Sequence, residues 1–177
     1  MGKARYNGKV IITYGRSIIA LMIAQSLGSR DIEIIGCDDV DLTVLSFSKY
    51  VKKNYVHASY KKDEDQFIED MVAIIKKEKP EDDRPYLLIP AFDDAQILAK
   101  HRKKFEGLIT LACPDYGAFT KVHPKDNFAK TMKELEIEGP ETWLPADEDE
   151  LEALKQEFSY PVFVKTPDDV GGRGIEK

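Results

Sequence analysis

One ordered segment, Lys9 to Cys37, restricts the architecture more than anything else in this chain. Lys9-Val-Ile-Ile-Thr13 is a short β-branched run and reads as a buried strand. Gly15-Arg16-Ser17 turns the chain into Ile18 to Leu27, where Ile18, Leu21, Met22 and Gln25 recur at helical spacing and Gly28 supplies a stop. Asp31-Ile-Glu-Ile-Ile-Gly-Cys37 is a second strand, ending in the acidic turn Asp38-Asp39. Strand, glycine turn, helix, strand is a βαβ unit. A crossover of that length joins parallel strands, so the segment predicts a parallel sheet.

The alternation continues. Val40 to Tyr60 is irregular, with Ser46-Phe-Ser-Lys-Tyr50 as a short helix and Tyr55-Val56 as a minor strand. From Asp63 to Lys79, Phe67, Ile68, Met71, Val72 and Ile75 mark one face of a helix that Pro80 ends. Tyr86-Leu-Leu-Ile-Pro90 is a third strand, Asp93 or Asp94 can cap a helix towards Lys103, and Leu108 to Ala112 is a further strand. Through Pro114 the pattern predicts a doubly wound, Rossmann-like α/β domain with its ligand edge at the strand C-termini. The character changes near Lys121, which sets the expected domains at 1–120 and 121–177. Lys125 to Glu138 reads as a charged helix ended by Gly139-Pro140, and Thr142-Trp-Leu144 as an extended piece. Asp147-Glu-Asp-Glu150 has the form of a capping box for a helix from Glu148 to Phe158. Ser159-Tyr160-Pro161 breaks into a strand ending at Lys165.

Charge narrows the partners. The 177 residues carry 26 basic and 32 acidic side chains, a net charge of −6. A nucleic-acid-binding domain presents a basic face, so that class is disfavoured. No stretch reaches the ~18 apolar residues of a membrane span, and the first residues have no apolar leader. Cys37 and Cys113 lie far apart without metal-ligand spacing and read as buried thiols, so the expected compartment is a reducing cytoplasm and the expected metal set is none.

Three places remain as candidates for chemistry besides Asp93-Asp94, which stands at a strand C-terminus where α/β sheets place ligand contacts and is read first as an ordinary helix cap. Thr13-Tyr-Gly15-Arg-Ser17 has one glycine where a dinucleotide fingerprint needs three, with Asp39 near the place of a ribose-binding acid. It is read as a structural turn at the edge of a cleft, with a nicotinamide-dependent oxidoreductase as the weaker alternative. The cluster Lys100-His-Arg-Lys-Lys104 is read as a solvated helix end. The third place is Tyr160-Pro-Val-Phe-Val-Lys165 followed by Gly171-Gly-Arg-Gly174. A buried strand can aim one cation, and glycines let backbone N–H groups close over anionic oxygens. The plain reading of the same residues is a hairpin loop with a solvent-facing lysine.

With those motifs in view, the chain resembles the ATP-grasp superfamily, in its carbamoyl phosphate synthase and biotin carboxylase-like branch. Lys125-Asp-Asn-Phe-Ala-Lys-Thr-Met-Lys-Glu-Leu-Glu-Ile-Glu-Gly-Pro140 is similar to the family's lysine–helix–Gly-x-Pro motif, Tyr160 to Lys165 to its Tyr-Pro-Val-x-x-Lys strand, and Gly171 to Gly174 to its phosphate-covering loop. Ser46 to Tyr50 and Ile89 to Asp93 are similar to pieces of carboxylate–amine ligase-like members. The resemblance implies a pre-ATP-grasp Rossmann-like domain followed by the start of an ATP-grasp α+β subdomain. It implies ATP bound by Lys125, Lys165, Gly171, Gly172 and Gly174, with a small carboxylate as co-substrate. It further implies Mg²⁺, whose ligands would lie beyond Lys177, and it leaves the catalytic residues unknown. The implied activity is ATP-dependent ligation of a carboxylate to an amine or thiol through an acylphosphate. This chain would be the N-terminal portion, inactive alone, with a homo-oligomer or second chain completing the ATP site. One departure stands out: the loop carries Pro167-Asp168-Asp169-Val170 where the family has Gly and Ser, and two carboxylates repel a triphosphate. The alternative is a non-catalytic Rossmann-like binding module, or a split-gene subunit completed by another chain.

Overall fold

The structure, a computed structural model, describes residues 6–167 and the backbone of 175–176. The chain divides into two compact units, Met1–Asp115 and Tyr116–Lys177.

The first unit is built on a five-stranded sheet in the order β3-β2-β1-β4-β5, every neighbouring pair parallel. The strands are β1 (Lys9–Ile12), β2 (Glu33–Asp38), β3 (Val51–Val56), β4 (Tyr86–Ile89) and β5 (Thr110–Leu111). Helices α1 (Ile18–Gly28), α2 (Glu64–Glu78) and α3 (Asp94–Lys100) make the crossovers, as the βαβ reading predicts. All of β1 is buried because its alternate side chains feed two cores. Ile11 points with Ile35 and Leu88 to the side where α2 lays down Phe67, Met71 and Ile75. Val10 and Ile12 point with Ile34 to the other side, against Ala20 and Ala24 of α1. A sheet covered on both faces needs apolar residues at every position, which is why these strands read as unbroken runs.

Close approach favours glycine at Gly28 and Gly15. A Cβ on Gly28 would come within 2.5 Å of the Tyr50 side chain, and one on Gly15 within 3.0 Å of Thr43 Oγ1. Gly15 thus lets the β1–α1 turn lie against the segment after β2.

The structure departs from the sequence reading in several local places. β3 runs over six residues, not two; it is an edge strand whose exposed Lys52, Lys53 and Asn54 break the apolar signal. The turn before it is a 3₁₀ helix over Val44–Phe47. Asp93 makes no side-chain cap to α3; its neighbour Asp94 is instead buried at 3% exposure. Helix α3 stops at Lys100, and Arg102–Lys104 forms a separate 3₁₀ turn. The basic cluster there is structural rather than a loose solvated end: Lys100 and His101 both reach Glu64 on α2, and Arg102 donates to the carbonyls of Cys113 and Pro114.

The second unit contains α4 (Tyr116–Val122), α5 (Lys125–Glu134), α6 (Glu148–Leu154) and an antiparallel pair, β6 (Val164–Lys165) with β7 (Ile175–Glu176). Helix α4 has no counterpart in the sequence reading. Helix α5 ends four residues earlier than expected, with Glu136 at φ 52° reversing the chain. Thr142 to Leu144 forms no strand. The Asp147 cap is made as expected, its Oδ1 accepting from Glu150 N–H at 2.9 Å.

Candidate functional site

Each unit brings together a different set of side chains. In the C-terminal unit, Lys125 is the first residue of α5, preceded by Pro124. Proline is suited to this boundary, since it has no N–H to leave unpaired. The Lys125 backbone N–H donates to Pro167 O at 3.1 Å, and its Nζ donates to Thr166 O at 2.7 Å and Pro167 O at 3.4 Å. Lys165 closes β6, paired with Ile175 of β7, and its side chain is exposed. The fold therefore holds the Lys125 ammonium against the two residues that follow Lys165, forty positions along the chain from it. Gly171, Gly172 and Gly174 lie outside the described residues, as do Asp168 and Asp169.

In the N-terminal unit a cavity of about 100 Å³ opens at the C-terminal ends of the parallel strands. Its wall comes from the exits of β1, β2 and β3 and from the start of α3, where a doubly wound sheet places its ligands. Tyr14, just past β1, sits at φ 55°, and its ring stacks on Phe92 with centroids 4.7 Å apart. Arg16 lies 5.3 Å from that ring. Its backbone N–H donates to Asp38 Oδ2 at 2.8 Å and its Nε to both Asp38 oxygens at 3.0 and 3.1 Å, while a terminal nitrogen pairs with Asp38 and Asp39. Asp38 is 3% exposed, so this guanidinium is the counter-ion that allows a carboxylate to be buried there.

His57 follows β3, lines the cavity and is buried; its Nδ1 is 2.8 Å from Ala58 O. Asp94 stands opposite in sequence but in the same wall. Burial pushes its carboxyl up, while hydrogen bonds from Thr13 and Phe92 and the charge of His57 pull it down more weakly. The Tyr60 phenol, also on the wall, is pushed up to about 12 by burial and by Asp93 and Asp94. Cys37 and Cys113 are free thiols, and burial raises the pKa of both. Among the described residues no group of His, Cys, Asp and Glu side chains is arranged to hold a metal.

The sequence reading named Asp39 and Asp94 and missed the roles of Tyr14, Arg16 and His57. For Tyr14 and Arg16 the usable signal was positional: an aromatic and a charged residue directly after a buried strand, at the edge where α/β sheets bind ligands. Arg16 also removes the support for a ribose-binding acid, since it already claims both carboxylates that end β2.

No family model and no curated protein matches the sequence. Solved structures match the fold. One is the biotin carboxylase domain of Hydrogenobacter thermophilus 2-oxoglutarate carboxylase, solved as a dimer with MgADP, ADP and bicarbonate. It has a TM-score of 0.64 and 19% identity, over 94% of this chain and 36% of that one. A second is N5-carboxyaminoimidazole ribonucleotide synthetase from Thermotoga maritima, with a TM-score of 0.63 and 20% identity, over 96% of this chain and 40% of that one. A third is the Staphylococcus aureus N5-carboxyaminoimidazole synthetase complexed with ADP, with a TM-score of 0.64 and 18% identity, over 99% of this chain and 42% of that one. The chain thus spans 36–42% of the length of these proteins. At such identities the likeness is one of fold.

Proposed function

We propose that this chain carries one wall of the ATP site of an ATP-grasp ligase, which joins a small carboxylate to an amine or thiol. The observation that carries the reading is the fold match. It takes in both units, over 94–99% of the chain, and two of the matched structures hold adenine nucleotide. In the proposed reaction a carboxylate oxygen bonds to the γ-phosphorus as the bond to the β–γ bridging oxygen breaks, and ADP leaves. The amine or thiol then attacks the acylphosphate carbonyl, loses its proton and expels phosphate. Such a transfer needs placement and charge neutralisation more than covalent help from the protein.

The residues present suit that task in part. Lys125 and Lys165 are the proposed cations for phosphate oxygens. Among the acceptors of the Lys125 ammonium are the carbonyls of Thr166 and Pro167, and hydrogen bonds to an ionised phosphate are stronger than those to a neutral carbonyl. Gly171, Gly172 and Gly174 are proposed as the backbone cover over the phosphates. Mg²⁺, when bound, would neutralise phosphate charge; no ligand for it is assigned to this chain. The chain alone is proposed to be inactive. A homo-oligomer, or a second chain completing the ATP site, belongs to the same proposal, as do the assignment of the domains to 1–120 and 121–177 and a cytoplasmic setting. No helix among the described residues is long and apolar enough to cross a membrane.

The test is a titration of MgATP into the 177-residue chain, followed by NMR at Lys125, Lys165 and the neighbouring backbone. Saturable shifts are expected, weakened by Lys125→Ala and by Lys165→Ala. Unchanged affinity in both variants, or no shift at either lysine, overturns the site assignment. Carboxylate-dependent ADP release by the isolated chain overturns its inactivity. The second reading, a non-catalytic binding module, is favoured by the cavity in the N-terminal unit. It predicts a small-molecule complex there without any response at Lys125 or Lys165.

A further inference from the structure

The cavity at the strand ends of the N-terminal unit plays no part in phosphate binding as proposed, and its chemistry points to a different ligand. It holds about 100 Å³, the share of roughly three liquid waters, so it suits the head of a small molecule rather than a nucleotide. Its guanidinium, Arg16, is committed to Asp38 and Asp39, while the exposed Lys61 ammonium lies at the rim over the Tyr60 ring, 5.9 Å from its centroid. What is buried and uncommitted on the wall is a set of acceptors.

His57 is 8% exposed and its Nε2 has no hydrogen-bond partner. The Ala58 carbonyl beside its Nδ1 can only accept, so Nδ1 donates to it, and in the neutral ring Nε2 presents a lone pair. A buried ring nitrogen of this kind costs stability until a donor reaches it. Asp94, 3% exposed and within electrostatic reach of His57, accepts hydrogen bonds but has no Lys or Arg in ion-pair contact among the described residues, and burial pushes its carboxyl up. The acidic side chains on the wall, Asp38, Asp39 and Asp94, outnumber Arg16 and Lys61. An arriving group that donates several hydrogen bonds and carries a positive charge satisfies His57 and Asp94 together.

We infer that this cavity binds the ammonium head of a small primary amine, with His57 Nε2 and the Asp94 carboxylate as its acceptors. The inference rests on the N-terminal unit alone. Failure of ATP to bind at Lys165 leaves it standing, and its own failure leaves the ATP proposal standing.

The experiment uses the 177-residue chain and three probes of similar size at constant ionic strength: ethanolamine as its ammonium ion, neutral N-acetylethanolamine, and propionate. The His57 ring and the amides of Ala58, Ser59 and Tyr60 are followed by NMR. Ethanolamine is expected to give saturable shifts in the millimolar range, as befits so few atoms, with no saturable response to the neutral or anionic probe. His57→Phe keeps the ring against Phe67, and Asp94→Asn keeps the shape; each is expected to weaken ethanolamine binding by at least about fivefold. The amides of Ile11 and Ile35 report whether each variant is folded, and if Asp94→Asn unfolds, His57→Phe decides alone. Equal responses to all three probes, a linear response to ethanolamine, or undiminished binding by every folded variant overturns the proposal. NAD⁺ added as a fourth probe tests the oxidoreductase reading: saturation by NAD⁺ but not by ethanolamine also overturns the amine site.

Discussion

Phe67, Ile11, Ile35 and Leu88 of the N-terminal unit are fully buried, whereas Phe128, Leu135 and Phe163 of the C-terminal unit are 47, 63 and 62% exposed. None of the described residues in the C-terminal unit is buried. Yet both units form helices with correct caps and both pair strands. The difference separates two sources of order. Local chemistry, such as capping and helix propensity, is satisfied in both units, but only the first adds a core. Because helices of seven to ten residues are marginal without tertiary support, most of the stability of the chain should reside in the first unit.

The largest expected effect is in native-state hydrogen exchange of the full chain. Amides of β1 and β4 should exchange only through global unfolding, with protection of at least ~10³. Those of α5 and α6 should exchange through local opening with little protection. Comparable protection in α5 and β1 breaks the comparison. Side-chain truncation sharpens it: Phe67→Ala should cost about 3–5 kcal/mol in denaturant unfolding, while Phe128→Ala should stay within about 0.5 kcal/mol.

The end of the sheet opposite the cavity offers the next test. Glu78 is 2% exposed and accepts from Lys9 at 2.7 Å, Lys53 at 2.8 Å and the Tyr55 hydroxyl at 2.5 Å. Burial alone would raise its pKa, but these three donors outweigh burial and hold the carboxyl at about 2, below an ordinary value of 4.5. The folded state therefore resists protonation more than the unfolded chain. The contribution of the network is complete above pH 4.5 and is lost as pH falls through about 2. Glu78→Gln should flatten this acid limb and remove on the order of 3 kcal/mol at neutral pH, since Lys9 stays buried with one partner fewer. An acid limb unchanged in the variant would assign it to other carboxylates.

How far these features can be read from sequence follows the same division. The strands of the central sheet are legible because burial on both faces writes itself as Val-Ile-Ile and Ile-Glu-Ile-Ile runs. β3 is legible only at Tyr55-Val56, because its exposed Lys52, Lys53 and Asn54 look like a loop. The C-terminal helices are marked by caps and breakers, but their ends are not, since no core fixes where α5 stops. In the cavity, Asp39 and Asp94 could be noticed as acids after strands. His57 could not: its significance is an unpartnered nitrogen, which depends on where β3 ends and on what the Ala58 carbonyl does.

The smallest effect isolates local order from core order most cleanly. Asp63 caps α2 by accepting from Gln66 N–H at 3.0 Å, and Asp147 caps α6 by accepting from Glu150 N–H at 2.9 Å. The two bonds are chemically the same, and loss of such a cap costs about 1 kcal/mol of helix stability. Helix α2 delivers Phe67, Met71 and Ile75 to the core, so Asp63→Ala should lower the global unfolding free energy by that full amount. Helix α6 has no buried residue, so Asp147→Ala should leave the global transition unchanged and raise only the local exchange rate of α6 amides, by about fivefold. An Asp147→Ala shift in the global transition as large as that of Asp63→Ala would mean that α6 unfolds together with the N-terminal core, and that the two units share one cooperative fold.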